Sequence, residues 1–230
     1  MIITIDGPTA SGKSTVSRIL ADRLSYYYIC SGLIYRAIAY VLVNKYGYSP
    51  ETLMAVRAED IAQCADTNRL QYSYDGLSQE RIFFDQEDIT IFLKDKFVDQ
   101  ITSIISMNKQ IRTAVTAIQR AIAADHNIVI DGRDVGSVVF PHAQIKFFVT
   151  ASVAVRAERW RKDQERYHNH LSLDEAVALI TQRDERDRNR AIAPLVVPNG
   201  AIVIDTSDLS KEETIEKILQ IISSFQPSAL

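Results

Sequence analysis

Residues 7–14 read Gly-Pro-Thr-Ala-Ser-Gly-Lys-Ser, a full match to the pattern GxxxxGK[ST]. The chemistry of that pattern is phosphate binding. Its glycines, Gly7 and Gly12, let backbone N–H groups wrap phosphate oxygens, and the following helix start adds partial positive charge. Lys13 is placed to reach the β- and γ-phosphates of a nucleoside triphosphate, and the Ser14 hydroxyl to ligate Mg²⁺. Asp131 ends the apolar run Ile128-Val129-Ile130, as Asp6 ends Ile2–Ile5. A carboxylate at the C-terminal end of a parallel strand lies where ligands bind, so Asp131 suits the outer shell of the ion, held through water. A helix cap or a loop ion pair is its other reading.

On the acceptor side, arginine stands out. No Ser-His-Asp arrangement is recognisable among His126, His142, His168 and His170, and the last two flank Asn169 like surface residues. Arg133 follows the central strand, Arg36 sits near the start of a helix, and Arg156, Arg159 and Arg161 crowd one segment. Residues 183–190 read RDERDRNR, which puts Arg183, Asp187 and Arg190 on one helical face. An alcohol must lose a proton before it attacks, whereas a phosphate monoester is already anionic at neutral pH. An arginine-rich site without a general base therefore fits phosphoryl transfer onto a phosphate. A solvated helix laced by i,i+4 ion pairs also accounts for RDERDRNR, and composition alone favours it. A GTPase switch would add a base-reading NKxD, and Asn44-Lys45-Tyr46-Gly47 and Asn108-Lys109-Gln110-Ile111 both lack the Asp.

The elements that must position these groups alternate. Ile2–Asp6 reads as a buried strand, followed by a helix with Val16, Ile19, Leu20 and Leu24 on one face. Tyr26–Ile29 is a second strand and 33–43 an apolar helix, while Ser49-Pro50-Glu51 reads as a helix start. Residues 69–92 break the rhythm with short polar strands around a turn at Asp75-Gly76, which marks an insert. Helices are expected at about 95–106, 108–124 and 153–166, and strands at 127–131, 145–149 and 201–204. Ser172 and Ser210 open capping boxes, the first followed by the stripe Leu173, Ala176, Val177 and Ile180, the second by Ile215, Ile218, Leu219 and Ile222. Short buried strands alternating with helices imply a parallel sheet wrapped on both faces. The tail 226–230 is expected to fray.

The chain has 230 residues, 47% hydrophobic and 24% charged, with a net charge of −3, which is ordinary globular usage and argues against a nucleic-acid binder. Its 8 Gly and 6 Pro leave no room for a long flexible linker. Cys30 and Cys64 form no CxxC and read as two small apolar residues. The N-terminus lacks a basic n-region, and no apolar run approaches the ~20 residues that span a bilayer, so a cytoplasmic location is expected.

GPTASGKST, SGLIYRA, IDGRDVGSVVFPHA and RDERDRNRAIAPL follow in the order and approximate spacing of the bacterial cytidylate (CMP) kinases, and the resemblance covers nearly the whole chain. It implies an α/β fold of the P-loop NTPase type: three layers, a five-stranded parallel sheet, a monophosphate-binding insert at about 50–112 and a lid at about 154–172, in one kinase domain of residues 1–230. It implies transfer of the γ-phosphoryl of ATP to CMP or dCMP with Mg²⁺, by a monomer without nucleic-acid or membrane partners. By the same resemblance Gly7, Pro8, Thr9, Ala10, Ser11, Gly12, Lys13, Ser14 and Thr15 bind ATP. Ser31, Tyr35 and Arg36 meet the monophosphate, Ser103 and Arg112 read cytosine, and Arg133 and Asp134 contact the acceptor phosphate and base. Arg183 and Asp187 hold the pentose, and Arg190 is a second phosphate clamp. Lys13, Arg133 and the lid arginines Arg156 and Arg159 carry the catalytic charge.

The chain departs from the family pattern at Cys30 (usually Asp or Thr), at Leu93-Lys94 (often Ile-Arg) and at Trp160, where a second lid arginine is common and Arg161 is the candidate substitute. A different acceptor such as UMP, AMP or a small metabolite, and a nucleotide sensor that turns nothing over, are the alternatives to the CMP kinase reading.

Overall fold

A computed structural model describes residues 1–76, 79–165 and 170–225. His168, the tail 226–230 and part of the expected lid, residues 166–169, lie outside the described residues. In chain order the elements are β1 (Ile2–Asp6), α1 (Lys13–Leu24), β2 (Tyr27–Cys30), α2 (Ser31–Asn44), α3 (Ala58–Cys64), β3 (Leu70–Tyr74), β4 (Glu80–Phe84) and β5 (Glu87–Asp88). Then come α4 (Lys96–Ile105), α5 (Lys109–Ala124), β6 (Ile128–Gly132), β7 (Ile145–Thr150), α6 (Val153–Glu165), α7 (Leu173–Asn189), β8 (Ile202–Asp205) and α8 (Lys211–Phe225).

A five-stranded sheet has the order β2-β6-β1-β7-β8, with β1 parallel to β7 and β7 parallel to β8. Ile3, Ile5, Val129, Ile130, Phe147 and Val149 are fully buried, as strands covered on both faces require. The register Asp6↔Phe148 brings the end of β1 alongside β7. A Cβ on Gly7 would lie 2.0 Å from the Val149 carbonyl oxygen, so only glycine can leave the strand here.

The chain divides into two compact units. The first comprises residues 1–24 and the chain from Val129 onward. In it α1 packs on α8 and α6 on α7. The Ala157–Ala176–Ile180 core between α6 and α7 is covered by Trp160 and Val177. Both capping boxes form: Ser172 with Glu175, and Ser210 with Glu213. One expectation is corrected here. Leu173, expected in the buried stripe, is 46% exposed, because it is the first helical residue and points off the packed face. Arg190 is the C-cap of α7: its N–H still donates to the Arg186 carbonyl, and the chain leaves the helix only after it (ψ 139°).

The second unit, Ser25–Ile128, contains the expected insert. Its antiparallel sheet β3-β4-β5 closes at Tyr74↔Glu80 and buries Leu70, Ile82 and Phe84. Gly76 has φ 71°, as the expected turn demands. Helix α2 starts two residues earlier than expected and buries most of its length. The helix start at Ser49 is overturned. The Ser49 hydroxyl goes to the Glu51 carboxylate, its carbonyl accepts from Thr52 and Leu53, and only a 3-10 turn, Leu53–Ala55, follows. Val56 and Arg57 are extended, and the α-helix begins at Ala58. Cys64 is buried and Cys30 half-buried, and neither is in a disulfide.

Candidate active site

The phosphate loop joins β1 to α1. Lys13 is only 6% exposed and donates to the Pro8 carbonyl at 3.1 Å. Burial, and then the Arg133 guanidinium, push its ammonium down to about 7. Ala10 has φ 59°, a left-handed conformation that costs an alanine about 1–2 kcal/mol. The Ser11 hydroxyl is buried and has no hydrogen-bond partner among the described residues. Ser14 Oγ donates to Asp131 Oδ2 at 2.5 Å. This direct contact between the two side chains was not expected from the sequence. It places two hard oxygen donors side by side, the donor type that Mg²⁺ takes.

Around that loop the first unit gathers the late arginines. Arg133 Nε donates to Asp187 Oδ2 at 2.8 Å, and its Nη2 donates to Thr9 Oγ1 at 2.9 Å. Arg190 donates to the Ala193 carbonyl at 2.6 Å and lies 3.6 Å from Asp134 and 3.8 Å from Asp187. Burial raises the Asp187 carboxyl, but Arg133, Arg183 and Arg190 outweigh it and hold the group below its ordinary value. Asp187 therefore stays ionised at the centre of an arginine-rich cluster. The solvated-helix reading fails for this face, although Glu185, Arg186 and Arg188 do face solvent.

Sequence reasoning missed what holds the Arg133–Asp134 loop. Asp6 is fully buried and accepts from the Val135 and Gly136 N–H groups at 2.8 and 2.7 Å. A Cβ on Gly136 would meet Thr4 Oγ1 at 2.7 Å and Asp6 Oδ2 at 2.9 Å, so the clamp requires glycine there. Burial pushes the Asp6 carboxyl up to about 7, against the two amides that favour its charged form. A buried strand-end Asp beside Gly7 was the available signal.

The lid arginines are placed differently from expectation. Arg156 is buried: Nε donates to the Ala151 carbonyl at 3.0 Å, Nη1 donates to the Thr9 carbonyl at 3.1 Å, and Nη1 pairs with Asp184 at 2.6 Å. It is not an exposed arginine on a moving flap. Asp184 went unnoticed because it sits inside RDERDRNR, where an isolated charge looks solvated. Arg159 donates to the Thr206 hydroxyl and carbonyl at 2.9 and 2.8 Å, and a Cβ on Gly12 would be 3.9 Å from its Nη1. Arg159 thus lies against the phosphate loop. Arg161 does not replace a lid arginine. It is tied to Glu158 and Glu165 along its own helix, while Trp160 is spent on packing.

The second unit holds the other expected acceptor residues. Arg36 donates to the Leu93 carbonyl at 2.9 Å and pairs with Asp99 at 2.5 Å. The Leu93-Lys94 departure therefore leaves a backbone contact to Arg36 intact. Arg112 donates to the Ser106 carbonyl at 2.9 Å and lies 5.5 Å over the Tyr35 ring. Ser103 is half-buried on α4, and Ser31 accepts from the buried Gln119 amide at 2.7 Å. Cys30 caps α2 through no side-chain bond, while its N–H donates to Tyr72 Oη at 3.0 Å.

The chain matches a family model described as cytidylate kinase over residues 3–224. It is 38% identical over 220 residues to the cytidylate kinase of Caldanaerobacter subterraneus subsp. tengcongensis, covering 96% of this chain and 93% of that one. It is 35% identical over 222 residues to the cytidylate kinase of Geobacter sulfurreducens, covering 96% and 92%. In fold it is similar to a solved shikimate kinase from Bacteroides thetaiotaomicron, with TM-score 0.50, 12% identity and 97% and 98% coverage. It is equally similar to TT1252 from Thermus thermophilus, with TM-score 0.50, 16% identity and 99% and 98% coverage. Those two likenesses bear on the α/β phosphate-loop fold alone.

Proposed function

The chain belongs to the cytidylate kinase family, and on that premise we propose that it transfers the γ-phosphoryl group of ATP to CMP or dCMP, giving ADP and the nucleoside diphosphate. The observation that carries the reading is Arg133. One guanidinium bonds both the phosphate-loop residue Thr9 and the acceptor-side residue Asp187. A cation shared by the two sides suits a reaction that must hold two polyanions together.

In this reading ATP lies along residues 7–15, with Lys13 and Arg159 neutralising charge that spreads over the γ-phosphoryl in a loose transition state. Arg36, Arg133 and Arg190 bind the CMP phosphate, Arg183 and Asp187 the pentose, and Ser103, Arg112 and Asp134 the base, with Ser31 and Tyr35 beside them. No general base is needed, because the acceptor phosphate is already anionic; positioning and electrostatics do the work. Ser14 and Asp131 would hold Mg²⁺, the latter through water, and the ion, when bound, supplies positive charge to the phosphate oxygens. We read the protein as a monomer of the cytoplasm without nucleic-acid or membrane partners. No helix among the described residues is long and apolar enough to cross a membrane.

The test is ADP formation from MgATP with CMP, dCMP, UMP, AMP and GMP offered separately. Turnover confined to CMP and dCMP is expected. Turnover with a purine monophosphate instead would overturn the base-reading assignments, and ATP binding without turnover on any acceptor would move the protein to a sensing role.

A further inference from the structure

Thr9 is held at both ends of its own backbone. Its N–H donates to Asp184 Oδ1 at 3.4 Å, and its carbonyl accepts from Arg156 Nη1 at 3.1 Å. Arg156 and Asp184 are joined to each other at 2.6 Å, with side chains only 3% and 7% exposed. They come from different helices, α6 and α7, so the grip exists only because these helices pack together.

The next residue, Ala10, has φ 59°. Non-glycine residues persist in the left-handed region only where their surroundings over-determine them. A left-handed residue in such a loop aligns successive backbone N–H groups toward one anion. Stability does not explain a buried ion pair here, since hydrophobic residues of similar volume are often as stable or more so. What an apolar pair could not do is bond both ends of the Thr9 peptide.

We propose that the Arg156–Asp184 pair is a positioning device for ATP: it grips Thr9 and thereby holds Ala10 in the left-handed conformation that the phosphate loop needs. Arg156 then acts through the loop rather than on the transferring group. The inference rests on the reading of residues 7–15 as the ATP site.

The test is equilibrium binding of MgATP to the full chain, without acceptor, together with the thermal midpoint. Arg156→Met with Asp184→Leu is expected to keep the midpoint, and to weaken ATP binding by about tenfold or more, the scale of hydrogen bonds to charged groups. Adding Ala10→Gly, which adopts positive φ without strain, is expected to restore most of that loss. ATP binding within about twofold of the parent, or a loss that Ala10→Gly leaves unchanged, would overturn the proposal. If the paired variant does not fold, Arg156→Lys is read by the same two criteria, because a lysine has no Nε to anchor it at the Ala151 carbonyl while its end nitrogen holds Thr9 and Asp184. A parent protein that binds no MgATP would sink the kinase reading itself, which separates the two failures.

Discussion

Arg133 and Asp187, 54 positions apart in sequence, meet through a 2.8 Å bond from Nε to Oδ2. This contact brings the loop after β6 to the inner face of α7. Arg133 also reaches Thr9, so a single guanidinium joins the phosphate loop to the carboxylate on α7. Because Asp187 is flanked by three arginines, its removal leaves them without their shared anion.

Asp187→Ala is therefore expected to raise the KM for CMP by about tenfold or more, the scale of breaking one buried charge-assisted contact, while ATP affinity changes little. Initial rates at varied CMP, set beside equilibrium ATP binding, check it. Equal losses in both would assign Asp187 a structural role.

Lys13→Ala is expected to lower kcat by at least about 100-fold, as loss of one electrostatic donor to a transferring group does elsewhere. ADP release at saturating ATP and CMP is the measurement. Turnover near that of the parent would defeat the mechanism.

The same lysine predicts a pH dependence. Its ammonium is pushed down to about 7, so it is charged below that pH and neutral above it. Anionic ATP favours the charged form. Affinity should fall as pH rises through about 7, and binding above it should take up a proton. Calorimetric titration in two buffers of different ionisation heat detects the uptake, and identical apparent heats at pH 8 would refute it.

Asp6 makes stability depend on pH as well. Its carboxyl is raised from 3.8 to about 7 in the folded protein. Between those values the folded state binds more protons than the unfolded one, so this group makes stability fall as pH rises, by up to about 1.4 kcal/mol per unit. Asp6→Asn should remove that contribution, leaving a difference from the parent that changes steadily between pH 4 and 7. Urea midpoints across the range test it; a constant difference would contradict the assignment.

Gly136→Ala should destabilise by about 1–3 kcal/mol, because the new methyl enters the Asp6 clamp where Thr4 and Asp6 cannot both retreat. The thermal midpoint reads the cost. Turnover should drop as well, since the clamp sets the Arg133–Asp134 loop.

Much of this was legible in the chain itself. Local patterns are written in neighbouring residues: GxxxxGKS demands its strand and helix, Ser172 and Ser210 announce their capping boxes, and the β-branched runs at 2–5, 128–130 and 202–204 are strands wherever they are placed. The charged groups that cluster around Asp187, namely Arg133, Arg183 and Arg190, were also nameable from type and order. The failures have two causes, one local and one long-range. Ser49-Pro50-Glu51 has helix-start residues, yet its side chains satisfied one another locally and the chain turned instead. The tertiary structure alone decided which charges are buried. Arg156 and Asp184 look like solvated helix residues until α6 and α7 pack, and Asp6 looks like a strand end until two amides from 130 residues away close on it. A charge's role depends on what excludes water from it. That is set by residues distant in sequence, so the chain could state what chemistry it carries but not which arginines are buried among their partners and which face solvent.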